Sequence, residues 1–372
     1  MNTKKIGIIT LVGYKNYGNR LQNYALKYTL EKMDFEVNSL KLDMPASRNT
    51  KVAVLRMRIN NLLKGNIIKK IKKSISKNKV TNEIYFSKER YQKFKEFSDS
   101  YLNEMDIQLS SSNDKKELDK FDYFVVGSDQ VWNPGNMPEL DKFFLTFAEP
   151  AKRIAYSASF GSSSIPWIYQ KNFSRWLREM RAISVRELAG KDLVFKLINK
   201  EVDVLVDPTM LLSKEEWSKL SARAINRPNN SYLLTYFLGT PTDEEKHKIE
   251  KIALDKNMSV INLGDINDKI TFETGPSEFL DYINNASAFF TDSFHGVVFS
   301  ILFQTPFVVY ERNTSGESMY SRIDTLLHKF NFKDREYKAI KNNIFDMDFT
   351  YTEKILLEEK KKAFDYLKNV LE

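Results

Sequence analysis

Cysteine is missing altogether from this chain of 372 residues. Its absence excludes disulfide bonds, cysteine-ligated zinc, iron–sulfur clusters and thiol nucleophiles. Histidine is nearly as scarce, because the whole chain holds only His247, His295 and His328. Their spacing with aspartate and glutamate indicates no metal site, and neither a Walker A loop nor a G-x-S-x-G elbow occurs. We therefore expect no metal and no cofactor, and a functional imidazole has three possible positions.

Long apolar runs are absent as well, since no stretch approaches the roughly 18 apolar residues of a membrane span. The first run, within MNTKKIGIITLVGY, is short and lacks a small-residue cleavage site, so it indicates a buried strand rather than a signal peptide. With 42% hydrophobic and 28% charged residues, the composition is globular. We expect a soluble protein of the cytoplasm, a compartment consistent with the lack of cysteine.

Acidic residues are missing between Asp43 and Glu83, an interval that carries eleven lysines and arginines. The apolar spacing within it predicts two basic amphipathic helices over 52–78, broken at Gly65-Asn66. Such helices suit an anionic membrane surface, so we expect peripheral membrane contact through residues 51–79. A solvated face is the alternative. Nucleic acid is not expected as a partner, because no aromatic residue is interleaved with these charges.

The rest of the chain alternates short apolar segments with helical periodicity, which predicts an α/β fold. A Pro- and Asn-containing stretch at 222–230 predicts a linker between two doubly wound, Rossmann-like domains that face each other across a cleft. We place the domains at 1–225 and 226–350, followed by a C-terminal helix over 351–372 that packs back on the first domain. The predicted strands are 6–12, 36–42, 121–126, 153–157, 183–185, 202–206, 232–237, 259–263, 288–290 and 307–310.

One hexapeptide, TDSFHG at 291–296, lies between two apolar segments. This pattern places His295 where a strand turns into a helix, at the sheet edge that binds ligands in parallel α/β domains. There the imidazole can donate or accept a proton, or hold an anion beside the helix N-terminus. Asp292 would orient the ring or act as a base, while Ser293 and Gly296 would contact the ligand. Residues that merely cap the helix are the alternative.

Two further loops fall at the same predicted edge. GSDQVWN at 127–133 follows a predicted buried strand, and its glycine lets a ligand approach the backbone closely. The polar side chains of this loop offer donors and acceptors, and its tryptophan would stack on a ring such as a sugar or line the cleft. A capped turn with a packed tryptophan is the alternative. The candidate residues of these loops are Asn16, Gly18, Asn19, Gly127, Ser128, Asp129, Gln130, Trp132 and Asn133.

Two arginines follow predicted strands directly. Arg186 and Arg312 would each suit bidentate capture of a carboxylate or a phosphate. An interdomain salt bridge is the alternative for both. Asp207, before Pro208, is interpreted as a turn former. No G-x-G-x-x-G fingerprint occurs in the first loop, so the sequence does not predict a dinucleotide site.

Seven segments, in their order along the chain, together resemble the polysaccharide pyruvyl transferase family. The resemblance implies a fold like that of GT-B glycosyltransferases, with an acceptor-side N-terminal domain and a donor-side C-terminal domain. The segments are NYGNRLQNYAL (16–26), FDYFVVGSDQVWNP (121–134), YSASFG (156–161), ISVRE (183–187), VDPTMLL (206–212), TDSFHG (291–296) and SRIDTLL (321–327).

The resemblance further implies transfer of a pyruvyl group from phosphoenolpyruvate, as co-substrate, to two hydroxyls of a sugar. The product is a cyclic ketal on a precursor of a capsule, cell wall or exopolysaccharide, and the acceptor is often lipid-linked. By this resemblance His295 is the general acid and Arg186 a donor contact. As the base we expect Asp129 or Asp292. Family members commonly carry R-x-H at the histidine. Here Phe294 and Ser293 precede it, so we expect Arg312 to supply the second cation.

Two other functions stay open at this point. A GT-B glycosyltransferase would hold the diphosphate of a nucleotide sugar at His295 and the same helix N-terminus. A non-catalytic protein that binds sugar or membrane would retain the fold without turnover.

Overall fold

The structure is a computed structural model that describes residues 3–43, 87–136, 139–312, 320–340 and 343–372, together with residues 52 and 55. The predicted basic helices and the membrane-contact segment 51–79 lie, apart from Val52 and Leu55, outside the described residues. In the described part of the chain, no helix is both long and apolar enough to cross a membrane.

The first sheet has seven parallel strands in the order β3-β2-β1-β4-β5-β6-β7. The order reverses between β1 and β4, which is the switch point where doubly wound sheets open a crevice for ligands. The strands are β1 (Lys5–Ile9), β2 (Glu36–Asp43), β3 (Glu104–Gln108), β4 (Tyr123–Val126), β5 (Arg153–Ala158), β6 (Ala182–Val185) and β7 (Asp203–Val204).

The second sheet has four parallel strands in the order β11-β10-β8-β9, and its order reverses between β8 and β10. Its two central strands, β10 and β8, are the fully buried runs AFFT and YLLTY, as expected for parallel strands that are buried on both faces. The prediction of two doubly wound α/β units is therefore confirmed. The strands are β8 (Tyr232–Tyr236), β9 (Ser259–Asn262), β10 (Ala288–Thr291) and β11 (Phe307–Val309).

Helices connect the strands, and several of them begin at capping residues. A Ser213–Glu216 capping box starts one helix and a Thr242–Glu245 capping box starts another, each satisfying two backbone donors. The helices are α1 (Tyr17–Glu31), α2 (Lys88–Tyr101), α3 (Ser112–Asp119), α4 (Leu140–Phe143), α5 (Trp167–Arg178), α6 (Leu188–Ile198), α7 (Lys214–Leu220), α8 (Asp243–Asp255), α9 (Lys269–Phe272), α10 (Pro276–Asn285), α11 (Phe294–Phe303), α12 (Ser321–Lys329) and α13 (Thr352–Leu371).

One hydrophobic cluster joins the two units. Tyr17 of α1 stacks on Phe279 of α10, with ring centroids 4.2 Å apart. The final helix α13 returns to the first sheet, where the Tyr366 hydroxyl donates to the Ala155 carbonyl at 2.8 Å. Ala363, Leu367 and Leu371 are fully buried along the same helix. The two sheets consequently share a core that holds their carboxyl edges against each other.

The described elements differ from the predicted ones at several places. Strand β3 is not predicted from the sequence, because its segment, EMDIQ, is polar and only Ile107 is buried at this edge of the sheet. Helix α12 is likewise not predicted, although Ile323, Leu326 and Leu327 form a buried apolar face on it. The apolar run after TDSFHG predicts a helix over 297–302, but helix α11 begins at Phe294, so His295 lies inside the first helical turn.

Candidate active site

His295 is held by the N-terminal turn of α11. Ser293 occupies the N-cap, and its hydroxyl accepts from the Gly296 backbone N–H at 3.3 Å. This cap fixes the turn and leaves His295 buried between the two sheets, with 6% of the residue exposed. Its Nε2 lies 3.6 Å from Oδ2 of Asp207, which belongs to the first unit. The histidine therefore meets a carboxylate across the domain junction, and that carboxylate is Asp207 rather than Asp292.

Asp207 connects the first unit to this histidine. Its Oδ2 accepts from Arg186 Nη1 at 2.6 Å and from the Ser128 hydroxyl at 2.9 Å. Its Oδ1 accepts from the Thr209 backbone N–H at 3.1 Å and the Thr209 hydroxyl at 2.7 Å. Burial disfavours the charged form, but the His295 ring, Arg186 and Thr209 outweigh it and hold the pKa of Asp207 well below its usual range. The residue forms a turn, as predicted, and also a charged centre that the sequence did not suggest.

Arg186 is placed by the end of β6 and is almost fully buried. Besides Asp207, its guanidinium contacts Asp129 Oδ1 at 3.4 Å and stacks on Phe294, with Cζ 4.2 Å from the ring centroid. Asp129 in turn accepts from the Asn19 side chain of α1. The predicted residues Asn19, Asp129 and Arg186 therefore form one connected network with Asp207.

A second arginine, which sequence reasoning did not nominate, lies beside the first. Arg322 is the second residue of α12, and its Cζ lies 5.9 Å from the centroid of the same Phe294 ring. With its amide oxygen facing Arg322, Gln130 accepts from both terminal nitrogens at 3.0 Å. Burial, then repulsion by Arg186, lowers the pKa of Arg322 to about 10. The signal that could have identified it is the SRIDTLL segment itself.

Three buried polar atoms at this place have no hydrogen-bond partner among the described residues: His295 Nε2, Arg186 Nε and Glu187 Oε2. Burial raises the pKa of Glu187 even though Arg186 and Arg322 favour its charged form. Buried polar atoms without partners are rare in folded proteins, and several together indicate a place that a polar ligand completes. We call the group of His295, Asp207, Arg186, Arg322 and Glu187 the junction cluster.

Asp292 and Arg312 are engaged elsewhere. The Asp292 carboxylate accepts from the backbone N–H groups of Leu238 and Gly239 at 2.7 and 2.8 Å. Arg312 donates to the same carboxylate through Nε at 3.1 Å and to the Asp292 carbonyl through Nη2 at 3.1 Å. These contacts tie the turn after β8 to the end of β10. Gly296 packs against β10, where an added Cβ would lie 3.0 Å from Phe289.

The GSDQVWN loop contains residues at the predicted ligand-binding edge of the sheet and residues that are buried in the core. At Gly127, with φ +125°, an added Cβ would lie 2.1 Å from the Tyr156 carbonyl oxygen, so glycine is required there for packing. Asn133 Oδ1 accepts from the Gly135 N–H at 2.8 Å, within the turn. Trp132 is fully buried, stacks on Phe144 and donates from Nε1 to the Phe143 carbonyl. This corrects the interpretation of Trp132 as a cleft residue, because its ring and its N–H are both used by the core.

The loop after β1 and the start of α1 bring the two units into close contact. Gly18 of α1 lies directly under the His295 ring. Asn16 stands at the N-cap of α1 without a side-chain capping bond. Asn19 borders a cavity of about 540 Å³ at the carboxyl ends of β1 and β2, which Asp106, Asn136 and Glu139 also line. This cavity lies on the side of the first sheet, and the Asn19–Asp129–Arg186 contacts connect it to the junction cluster.

Comparison with protein families decides the relationship of this chain. The model of the family described as polysaccharide pyruvyl transferase matches residues 16–314. The chain belongs to the polysaccharide pyruvyl transferase family. The family match takes in Asp129, Arg186, Asp207 and His295 and ends before Arg322. This membership supports a transferase, and the resemblance seen in the sequence is confirmed.

No curated protein matches this family member in sequence. Among solved structures, it is similar to the UDP-GlcNAc 2-epimerase of Neisseria meningitidis bound to UDP-GlcNAc (TM-score 0.46, 11% identity, 97% and 100% of the two chains covered). It is also similar to the UDP-GlcNAc 2-epimerase of Methanocaldococcus jannaschii (0.44, 14%, 95% and 99%) and to the E. coli ADP-heptose lps heptosyltransferase II (0.37, 11%, 96% and 99%).

Proposed function

We propose that this protein transfers the pyruvyl group of phosphoenolpyruvate to two hydroxyls of a sugar in a cell-surface polysaccharide precursor. Family membership supports the transferase class. The observation that carries the choice of donor is the placement of two buried arginines, Arg186 and Arg322, around one aromatic ring next to His295. Such a cluster would be stabilised most by a small, strongly anionic donor.

Arg322 is the main anion contact in this proposal. Arg186 already has two carboxylate partners, Asp207 and Asp129, whereas the depressed pKa of Arg322 shows that its surroundings disfavour its charge. A phosphate or carboxylate of the donor would offset that penalty. The unpartnered Nε of Arg186 would add one hydrogen bond to the same ligand. Arg312, bound to Asp292, is assigned a structural role instead.

The chemistry proposed for His295 is general acid catalysis. The imidazolium gives its proton to the methylene carbon of the enol, and the enol electron pair forms the new C–H bond. One sugar hydroxyl adds to the resulting oxocarbenium-like carbon and loses its proton to Asp129. Phosphate then leaves with its bonding electrons, and the second hydroxyl closes the ketal. Asp129 then passes the first hydroxyl proton to the departing phosphate, and the proton of the second hydroxyl restores the imidazolium of His295.

The acceptor would occupy the cavity of about 540 Å³ at the carboxyl ends of β1 and β2. Its volume lies within the range of small-molecule sites. Carboxylates and amides such as Asp106, Asn136 and Glu139 are suited to sugar hydroxyls. Asn19 lines this cavity and donates to Asp129, so the acceptor would lie next to the proposed base. The same proposal includes a lipid-linked acceptor, and it locates the protein at the cytoplasmic face of a membrane.

The deciding experiment compares donors. Calorimetric and thermal-shift titrations would use phosphoenolpyruvate against UDP, GDP and CMP, and mass spectrometry would separate a pyruvyl ketal from an added hexose. We expect phosphoenolpyruvate to bind and a nucleotide-sugar donor to give no product. His295→Ala should abolish transfer with the fold intact, while His328→Ala, at an exposed helix position, serves as the matched control. Binding of a nucleotide in place of phosphoenolpyruvate would establish the glycosyltransferase instead.

A further inference from the structure

We infer that the outer faces of α5 and α6 form a binding surface for an anionic membrane. The surface combines three exposed apolar side chains with three exposed basic ones, and we call these six residues the α5–α6 surface: Trp167, Leu188, Phe195, Lys171, Arg175 and Arg178. This surface lies outside the segment 51–79 for which the sequence predicts membrane contact. The inference goes beyond the proposed function, because membrane binding requires neither a donor nor an acceptor.

Trp167 differs from the other three tryptophans of the chain. Trp132, Trp176 and Trp217 are almost fully buried, whereas Trp167 is 71% exposed at the first residue of α5. Tryptophan side chains are enriched where an apolar phase meets water, since the ring is apolar and its N–H is polar. The position of Trp167 therefore suits insertion at the level of lipid headgroups.

The exposed stripe of α5 carries positive charge only. Lys171, Arg175 and Arg178 follow Trp167 at spacings of three or four residues, which places them on one side of the helix. Helix α5 contains no aspartate or glutamate, and the next carboxylate, Glu179, is paired with an arginine of β5 at 2.8 Å. The helix consequently presents one aromatic ring and three cations to the outside, while its other side is buried.

Helix α6 extends this surface. Strands β5, β6 and β7 are neighbours in the sheet, so their right-handed connections place α5 and α6 side by side on one face. Leu188 begins α6, and Phe195 lies two turns further along the same side; both are exposed. Helix α6 itself carries two lysines and one aspartate, so the combined surface stays positive.

An anionic lipid surface matches both features. Its headgroups supply negative charge to the cations, and its interface accepts exposed aromatic and aliphatic side chains. Nucleic acid would bind the cations but offers no apolar phase to Leu188 and Phe195. A single small anion is a poorer match, because the three cations are spread along about 10 Å of helix. The charge and the apolar groups together therefore favour a membrane.

The apolar end of the α5–α6 surface lies at the carboxyl edge of the first sheet. Trp167 and Leu188 each begin a helix that follows a strand of this sheet, and the cavity proposed for the acceptor borders the carboxyl ends of β1 and β2. Membrane contact here would keep this edge near the headgroups, where a lipid-linked acceptor is presented. That consequence rests on the proposed function, whereas the membrane contact does not.

The first test uses the full-length chain with vesicles of phosphatidylcholine, alone or with about 25% phosphatidylglycerol. Trp167 is the exposed one of the four tryptophans, so acrylamide quenching of the fluorescence reports on it. We expect anionic vesicles to shift the emission to the blue and to reduce quenching by about twofold or more. Neutral vesicles should do neither, and Trp167→Phe should remove the change. Vesicle-bound protein whose Trp167 stays fully open to acrylamide contradicts the inference.

The second test removes the cations of α5. A variant with Lys171→Gln, Arg175→Gln and Arg178→Gln should bind anionic vesicles about 100-fold more weakly in a flotation assay. All three side chains are exposed, so the variant should fold as the wild type does. Wild-type binding should weaken as salt rises from about 0.05 to 0.5 M, because exposed charges are screened.

Helix α8 supplies the matched control. Lys246→Gln, Lys248→Gln and Lys251→Gln remove the same charge from exposed positions of a helix that also carries acidic residues. We expect this variant to stay within about threefold of the wild type, because these charges lie more than a screening length from the vesicle.

Three results of the flotation assay would overturn the inference. Equal losses in both variants would show that only net charge matters. Wild-type affinity in the α5 variant would place the contact elsewhere, as in the segment 51–79. Binding of RNA without binding of anionic vesicles would make the partner a nucleic acid. No measurement includes phosphoenolpyruvate or a sugar, so a failure here is separable from a failure of the proposed function.

Discussion

The imidazole ring of His295 fills the space that a side chain at Gly18 would take, across the domain junction. A Cβ built on Gly18 would lie 2.0 Å from Nδ1 and 2.4 Å from Cγ of the imidazole. Gly18 belongs to α1 of the first unit, and His295 belongs to α11 of the second. The absence of a side chain at residue 18 therefore decides where the histidine ring can stand.

We predict that Gly18→Ala displaces the His295 ring and lowers turnover by about 100-fold or more, because misplacement of a catalytic group by 1 Å can have that effect. The added methyl also overpacks the junction, which costs about 1–3 kcal/mol of unfolding free energy. Steady-state kinetics and urea denaturation measure the two effects. Gly264→Ala is the control, since its Cβ would meet only ordinary contacts at 3.6 Å. Full activity in Gly18→Ala would contradict the placement of the ring.

Arg322→Met should weaken phosphoenolpyruvate binding by about 30-fold, the loss of roughly 2 kcal/mol of charged hydrogen bonding. Calorimetric titration at fixed pH measures it. Arg312→Met is the informative comparison, because Arg312 is already bound to Asp292. We expect it to reduce stability more than donor affinity. Normal binding by Arg322→Met together with lost binding by Arg312→Met would restore Arg312 as the donor contact.

The same Arg322→Met change should raise stability at neutral pH. The pKa of Arg322 is lowered to about 10 in the folded state, so the folded chain disfavours its charge below that pH. Removing the charge should add about 1–3 kcal/mol to the free energy of unfolding. As pH rises above about 10, wild-type Arg322 loses its proton on folding and the difference should begin to fall. Urea denaturation across pH 7–10.5 checks this sign, and a destabilised variant at pH 7 would refute it.

Asp292→Ala should destabilise the second unit by about 3 kcal/mol, because two backbone donors and Arg312 lose a buried acceptor. The exposed Asp255→Ala is the control for a lost carboxylate. Per folded molecule, we expect activity to fall by less than about tenfold, or 1.4 kcal/mol of barrier. Thermal denaturation and kinetics on the folded fraction separate the two effects. A catalytic loss of several orders of magnitude with unchanged stability would make Asp292 the base.

The last helix offers a matched pair of leucines. Leu367 is fully buried, whereas Leu357, on the same helix α13, is 62% exposed. Leu367→Ala should cost about 2–5 kcal/mol of unfolding free energy, since it leaves a cavity under the first sheet. Leu357→Ala should stay within about 0.5 kcal/mol of wild type. Chemical denaturation of both variants tests whether α13 is part of the shared core.

The fold could be predicted where an apolar run is followed by a polar turn. Tyr123–Val126 and Ala288–Thr291 are such runs, and their burial on both faces makes the pattern unambiguous. Glu104–Gln108 carries no such signal, because an edge strand has one neighbour and can be polar. Helix α11 begins earlier than predicted because Ser293 caps it, and a cap depends on the local backbone rather than on apolar spacing.

The site could be predicted in part. Asn19, Asp129, Arg186 and His295 lie at carboxyl ends of strands, and the structure brings them to one place. Trp132 lies in the same loop as Asp129, yet the ring turns into the core, where Phe144 stacks on it. Sequence position along a loop does not reveal which of its side chains point inward. Asp207 was interpreted as a turn former for the same reason, since its turn is local and its partners are distant.

Local sequence patterns were enough to predict the described strands other than β3, the family, and one histidine at a strand-to-helix turn. These features depend on neighbouring residues and on apolar burial, which short segments record. Only the tertiary structure decided that Asp207 faces His295, that Arg322 joins Arg186 at Phe294, and that Gly18 makes room for the ring. Those contacts join residues far apart in the chain, and they exist because two separately built sheets pack their carboxyl edges together.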